Sequence, residues 1–255
     1  MVEQVFFTHN RKQLYTHSGF TLVELMIALA ITGVIVAATY TAYISQQRTY
    51  GVQDQVAEMQ QNLRAAMTII ADELRMAGYD GGAGTKDSSC NLYTGSTLPA
   101  IQPGVLSLNA QQLDFSMDLN KDGDCADTGE NLTYAIYTTG NGVKALGRRD
   151  NTTASPAMQA VAMPFDAIEF IYKDQNGAIV TQVANIRNIQ ISLLARATNF
   201  DLKFTNTLTY CPGSNPVDPT TGQCTNPAAT IWGPYNDHYR RRLLIAEINS
   251  RNIGL

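Results

Sequence analysis

Residues 18–44 read SGFTLVELMIALAITGVIVAATYTAYI, and a single acid, Glu24, stands near the start of this apolar run. From residue 25 to residue 47 there are 23 consecutive uncharged residues. A helix needs about 20 predominantly apolar residues to cross a bilayer. A carboxylate at the centre of such a span costs roughly 3 kcal/mol or more. An acid retained here is therefore a functional-site candidate that needs a partner. The plain alternative is a helix-end carboxylate that snorkels to the headgroups.

Two other readings of the run are weaker. An ordinary secretory signal could end at Val36-Ala37-Ala38. Its apolar region would hold 7–15 residues, whereas this one is longer, contains Glu24 and continues into a helical pattern. A plain single-span anchor explains the length but not Gly19-Phe20-Thr21-Leu22-Val23-Glu24.

The chain has 255 residues, a length for one or two domains. A 19-residue leader and a membrane span still leave enough chain for a sizeable core. Charged residues make up 16%, low for a soluble domain, and the formal net charge is −4. An acidic exported domain is a poor binder of nucleic acid. The basic run Arg240-Arg241-Arg242 reads as strand-end solvation or a local ion-pair site. Of three histidines, His9 and His17 lie in the leader, leaving His238 in the remainder. A nucleophilic triad would have to use that one residue. No GxSxG, P-loop or HExxH occurs. The four cysteines, Cys90, Cys125, Cys211 and Cys224, all follow the span. An even number in an exported domain suggests disulfides, with three connectivities open. None forms a CxxC, so a zinc or redox motif is weak.

The helical pattern outlasts the span. Apolar residues recur at Val52, Val56, Met59, Leu63, Met67, Ile70 and Leu74, the i+3/i+4 rhythm of an amphipathic helix. No proline occurs before Pro99, and Gly78 suits a helix C-cap. One helix over about residues 20–77 follows, roughly 87 Å long at 1.5 Å per residue. Its first half is apolar all round and its second half has one apolar stripe. After residue 100 the period changes to two. Leu113, Phe115 and Met117 alternate with polar neighbours. Segments 132–137 and 143–148 flank Gly140-Asn141-Gly142 as a hairpin. Segments 167–172 and 178–183 form a second hairpin about 174–177, and 186–195 and 240–248 complete the strands. The expected fold is α+β, a long N-terminal helix packed on an antiparallel sheet.

The acidic stretch 118–130 begins as D-x-[DN]-x-[DN]-G, with Asp118, Asn120, Asp122 and Gly123. Alternating oxygens before a sharp glycine turn suit a hard cation that takes six to eight oxygens. Calcium (Ca2+) is the expected ion. Asp124 would offer its backbone carbonyl, while Asp127 or Glu130 would close the shell. Position 12 is Gly129 and the glutamate comes one later, so the end departs from the EF-hand pattern. The flanks read as strands, so this is a loop between strands. A solvated acidic turn is the plain alternative.

Gly19-Phe20-Thr21-Leu22-Val23-Glu24-Leu25 resembles the type IV prepilin signature. The resemblance implies cleavage after Gly19 by an inner-membrane prepilin peptidase, N-methylation of Phe20 and retention of Glu24 for assembly. Gln60-Gln61-Asn62-Leu63-Arg64 with Arg75-Met76-Ala77-Gly78-Tyr79, the acidic stretch, Phe170-Ile171-Tyr172 and the Tyr239-Arg240-Arg241-Arg242 ending look like the PilW-type minor pilins. These are related to the minor pseudopilin J of type II secretion.

The family plan would divide the chain into a leader (1–19), a transmembrane, filament-core helix half (20–44), an amphipathic half packed on the sheet (45–78) and a β-rich globular domain (79–255). It implies a non-enzymatic subunit held in the inner membrane with its C-terminal domain periplasmic, then moved into the pilus at the cell surface. Implied partners are other minor and major pilins, the prepilin peptidase and the inner-membrane assembly platform. A pseudopilin of a type II secretion system and a membrane-anchored surface binding module are the alternatives. Closing Cys211 to Cys224 resembles the C-terminal disulfide loop of many pilins, which leaves Cys90 with Cys125. Many major pilins also carry a proline in the first helix half, and this chain departs from them there.

Overall fold

The computed structural model describes residues 19–80, Cys90 and residues 104–253. The chain forms two compact units that meet in sequence between Gly51 and Val52. Helix α1 spans Leu22–Met76, close to the expected 20–77, and contains both Gly33 and Gly51 without a break.

In the first unit the large apolar side chains of α1, such as Leu22, Leu29, Val34 and Tyr40, are exposed. An all-round apolar helix surface of this kind needs lipid or other subunits around it. In the second unit α1 buries one stripe: Met59, Leu63, Ala66, Met67, Ile70, Ala71 and Leu74. Fully burying a Leu or Ile contributes about 1.5–3 kcal/mol, so Leu63, Ile70 and Leu74 are the main anchors of this half.

Seven strands follow: β1 (Gln112–Ser116), β2 (Asn131–Thr138), β3 (Lys144–Asp150), β4 (Gln159–Ala162), β5 (Phe165–Lys173), β6 (Asn188–Arg196) and β7 (Arg241–Asn249). They form two antiparallel sheets, ordered β1-β2-β3-β4 and β5-β6-β7. Period-two alternation sets which side of each strand is apolar. Leu113, Phe115, Leu132, Tyr134, Ile189, Ile191 and Leu193 join the α1 stripe in one core. The opposite face of β1 and β2 is polar yet buried, with Asp114, Ser116, Asn131 and Thr133. Most of its groups are hydrogen-bonded, as in Thr133 Oγ1 to Asp114 at 2.7 Å and Asn151 Nδ2 to Thr133 at 2.9 Å.

Two glycines have steric reasons. Gly78, just past α1, has φ +82, and a Cβ there would meet the Asn252 carbonyl oxygen at 2.9 Å. Only glycine serves both the left-handed helix exit and the close approach of the C-terminal segment. Gly147 lies under the Tyr137 ring, which a Cβ would meet at 2.6 Å.

Two strand expectations need correction. Segment 178–183 is not a strand: Ile179 alone bridges Lys173, and a 3-10 turn follows at Val183–Asn185. Ile179 is largely exposed, so no second layer rewards extending the ladder. Conversely, β4 has four partly or fully exposed residues, too short for its period to stand out in the sequence.

Candidate functional site

The start of α1 is built from Thr21 and Glu24. Thr21 precedes the first helical residue, and its Oγ1 accepts from the Glu24 N–H at 3.2 Å. Glu24 reaches back, and its Oε2 accepts from the Thr21 N–H at 2.9 Å and the Thr21 hydroxyl at 3.0 Å. This reciprocal capping box satisfies donors that a helix start leaves open. It also holds a carboxylate at the positive end of the helix dipole, three residues from Thr21 and four from Phe20. Phe20 is 93% exposed, and nothing lies within 4 Å of a Cβ built on Gly19. The T-x-x-E spacing of Thr21 and Glu24 is itself a capping signal in the sequence.

The acidic loop joins β1 to β2. Its first and last carboxylates are buried and hold the backbone. Asp118 accepts from the N–H groups of Lys121 (2.6 Å) and Gly123 (3.1 Å). Glu130 accepts from those of Leu119 (2.8 Å), Asn120 (3.3 Å) and Asp127 (3.1 Å). Between them Asp122, Asp124 and Asp127 converge, with one oxygen of each within 4.8 Å of the others. Asn120 donates from Nδ2 to Asp122 at 2.9 Å and to Asp127 at 2.7 Å. That bond, with the N–H of Asp124, holds the Asp122 carboxyl below its usual range. Of the six expected ligands the structure thus clusters Asp122, Asp124 and Asp127, sets Asn120 between two of them, and uses Asp118 and Glu130 as loop braces. Three convergent carboxylates could hold a metal ion, with further oxygens from backbone or water.

The loop is tied to its surroundings. Cys125, buried, is bonded to Cys90, with 35 residues of separation. The Asp118 N–H donates to Tyr79 O at 2.7 Å, and the Gly78 N–H to Ser116 O at 3.0 Å. The loop therefore sits at the exit of α1. The second disulfide joins Cys211 and Cys224, and its loop docks through Ser214, whose hydroxyl donates to the buried Glu169 at 2.6 Å.

The arginine run forms ion pairs. Arg241 is 2% exposed in its side chain and pairs with Asp166 and Asp237, while Arg240 pairs with Asp201. Arg241 also lies 3.7 Å from the Tyr235 ring centroid. His238 makes a 2.7 Å contact from Nδ1 to the Phe204 carbonyl, an arrangement that stabilises a loop. One cluster escaped the sequence reading: Glu73 on α1 receives the Tyr134 hydroxyl and the Arg148 guanidinium across the core. Nothing in one strand's pattern signals a partner about 60 residues upstream.

The geometry can be set beside known proteins. The family profile described as a prokaryotic N-terminal methylation motif matches residues 15–40. The profile described as prepilin peptidase-dependent protein B matches residues 52–210. Among solved structures, a type IV-like pilin from Thermus thermophilus is similar at 18% identity, covering 77% of this chain and 98% of its own, with a TM-score of 0.43. No curated protein matches the chain in sequence.

Proposed function

Because the chain belongs to the prepilin peptidase-dependent protein B family, we propose that it is a minor pilin, a structural subunit that helps prime a type IV pilus near its tip. It is a type IV pilin-like protein carrying the N-terminal methylation motif, in a family of structural subunits. Its apolar helix fits membrane anchoring. The observation that carries the proposal is the arrangement at residues 19–24, where an exposed Phe20 precedes a capped helix start that positions Glu24.

In this reading prepilin peptidase cuts after Gly19, and the new Phe20 amine is methylated. The subunit waits in the inner membrane with its β-rich domain in the periplasm. The assembly platform then draws it into a filament with major and other minor pilins. Glu24 neutralises the Phe20 amine of a neighbour. Two opposite charges attract strongly in low dielectric, and each is costly alone, so the pair selects the axial register. We also propose calcium as the ion for Asp122, Asp124 and Asp127, with Asn120 turning its amide over to offer Oδ1. Calcium would take up the repulsion among three carboxylates and lock the loop at the exit of α1.

Mass spectrometry of the mature N-terminus tests the reading. Methyl-Phe20 is expected. A terminus at Thr39, from cleavage after Ala38, would sink the filament role.

A further inference from the structure

Among the described residues the nine-residue strand β7 leaves its outer edge open, while each of the other three sheet edges is covered in part, short or bulged. Exposed edges are templates for pairing, and proteins blunt them by shortness, cover, bulges or charge. Edge β1 is covered by the chain before it: Leu106 N–H donates to Asp114 O, and Ser116 N–H to Gly104 O, both at 2.8 Å. Edge β4 has only four residues. Edge β5 receives chain over its C-terminal half, where Phe170 N–H donates to Ala110 O at 2.8 Å and Val180 N–H to Tyr172 O at 3.0 Å, and its register with β6 shifts between Phe165 and Ala167.

Among the described residues β7 is neither short, covered nor bulged, and its exposed charges, Arg242 and Glu247, stand toward its two ends. Its register with β6 runs without a shift from Arg241 to Asn249, and the strand contains no proline. The flanking bonds fix which backbone groups face outward. Ala197 N–H donates to Arg240 O, and Ser250 N–H to Arg187 O. Antiparallel pairs alternate in direction, so residues 242, 244, 246 and 248 bond inward to β6. The N–H and C=O groups of Leu243, Ile245 and Glu247 therefore point away from the sheet. Among the described residues, no hydrogen bond closes this row. Ile245 is 37% exposed and Leu243 partly buried, so an apolar stripe accompanies the open backbone. Arg242 is exposed and has no carboxylate partner among the described residues.

We propose that β7 accepts an extended strand from a different subunit of the same filament. This rests on the minor-pilin reading and names the surface through which the subunit recruits a partner. Main-chain bonds supply affinity and the alternating side chains supply choice. The strand that fits carries apolar residues over Leu243 and Ile245 and a carboxylate beside Arg242. A second copy of β7 brings Arg242 and no carboxylate to that face, because Glu247 stands on the opposite face of the strand. The strand also runs alongside α1 and in its direction. Thr198, next to the partner of Arg240, donates to Glu58 at 3.2 Å, whereas Ser250 lies at Leu74 and Ala77. Antiparallel pairing of two β7 edges would therefore set the packed halves of the two α1 helices in opposite directions.

Residue-resolved hydrogen exchange on the full chain in detergent tests the proposal, alone and with co-expressed minor pilins of its filament. The amides of Leu243, Ile245 and Glu247 should exchange freely alone and slow by about tenfold or more in the complex. Those of Leu244 and Ala246 should be slow in both. Ile245→Pro removes only an outward N–H, which edge strands tolerate. It should lower complex yield about tenfold with little change in melting temperature, while Ile245→Thr keeps the yield. Unslowed outward amides in a formed complex would overturn the proposal, and so would full yield with Ile245→Pro. Slowing that depends on the concentration of the chain alone would assign the edge to a second copy and overturn it equally. If Glu24→Gln blocks assembly and Ile245→Pro does not, the minor-pilin reading stands and the edge proposal falls. If neither variant affects assembly, both fall.

Discussion

The Tyr134 hydroxyl donates to Glu73 Oε2 at 2.6 Å, and this bond joins the packed half of α1 to the centre of the four-stranded sheet. Arg148, opposite Tyr134 in β3, completes the clamp with Nε at 3.0 and 3.1 Å from the two carboxylate oxygens. Both charged side chains are about a quarter to a third exposed, so the ion pair itself is screened. The hydrogen bond from the largely buried tyrosine matters more. Glu73→Ala should destabilise the globular unit by about 1–3 kcal/mol, because it strands a buried hydroxyl and frees Arg148. Tyr134→Phe should lose only about 1 kcal/mol. Urea unfolding of the two variants checks the order. A larger loss for Tyr134→Phe would contradict it.

Alkaline pH should weaken the fold through tyrosines. Burial first, then the bond to Glu73, push the Tyr134 hydroxyl far above its usual range. Burial does the same for Tyr172. A raised folded pKa means that the native state keeps a proton the unfolded state loses near pH 10. Their contribution is whole below about pH 10 and lost as pH rises above it. Unfolding midpoints at about pH 8 and pH 11 should differ less in Tyr134→Phe than in the parent protein. An unchanged difference would refute this.

Arg241 should be the most sensitive of the three arginines. Its removal leaves Asp166, 8% exposed in its side chain, without its nearest cation. Arg241→Ala is expected to cost about 3–5 kcal/mol, as broken buried pairs do, whereas Arg242→Ala stays within about 0.5 kcal/mol. Bonding to Arg241 holds Asp237 below the usual carboxylate range. That contribution is present above about pH 4 and fades as pH falls. Acid unfolding of Arg241→Lys should accordingly begin at higher pH. Similar melting temperatures for Arg241→Ala and Arg242→Ala would discard the ranking.

Glu24→Gln separates two roles of one side chain. Glutamine still completes a capping box but carries no charge. If the charge pairs with a neighbour's amine, processing at Gly19-Phe20 should continue while filament incorporation is lost. Normal incorporation would leave capping as the function of Glu24. Immunoblotting of sheared filaments against cell membranes reads the outcome.

The acidic loop permits a similar separation. Calorimetry with calcium should give binding heat that Asp122→Ala and Asp127→Ala remove with little effect on metal-free stability, because both side chains are exposed. Asp118→Ala should lower stability with or without calcium, since it removes the acceptor of two backbone N–H groups. No heat and no rise in melting temperature at about millimolar calcium would rule out the ion.

Local pattern was sufficient for part of this protein. The span, the stripe from Val52 to Leu74 and the strands around Phe115, Tyr134, Phe170 and Ile191 follow from residue spacing alone. Their signals repeat every two or every 3.6 residues along one segment. The residues 19–24 were likewise legible because all their partners are neighbours in the chain. What the tertiary structure decided depends on groups far apart in sequence. The strands divide between two sheets, 178–183 leaves the ladder where Ile179 stands exposed, and Asp118 and Glu130 brace a loop whose centre is Asp122, Asp124 and Asp127. Glu73 meets Tyr134 only after both elements dock. Residue spacing alone marks 240–248 as a strand, but only the sheet order makes it an edge, because among the described residues β6 is its one strand neighbour.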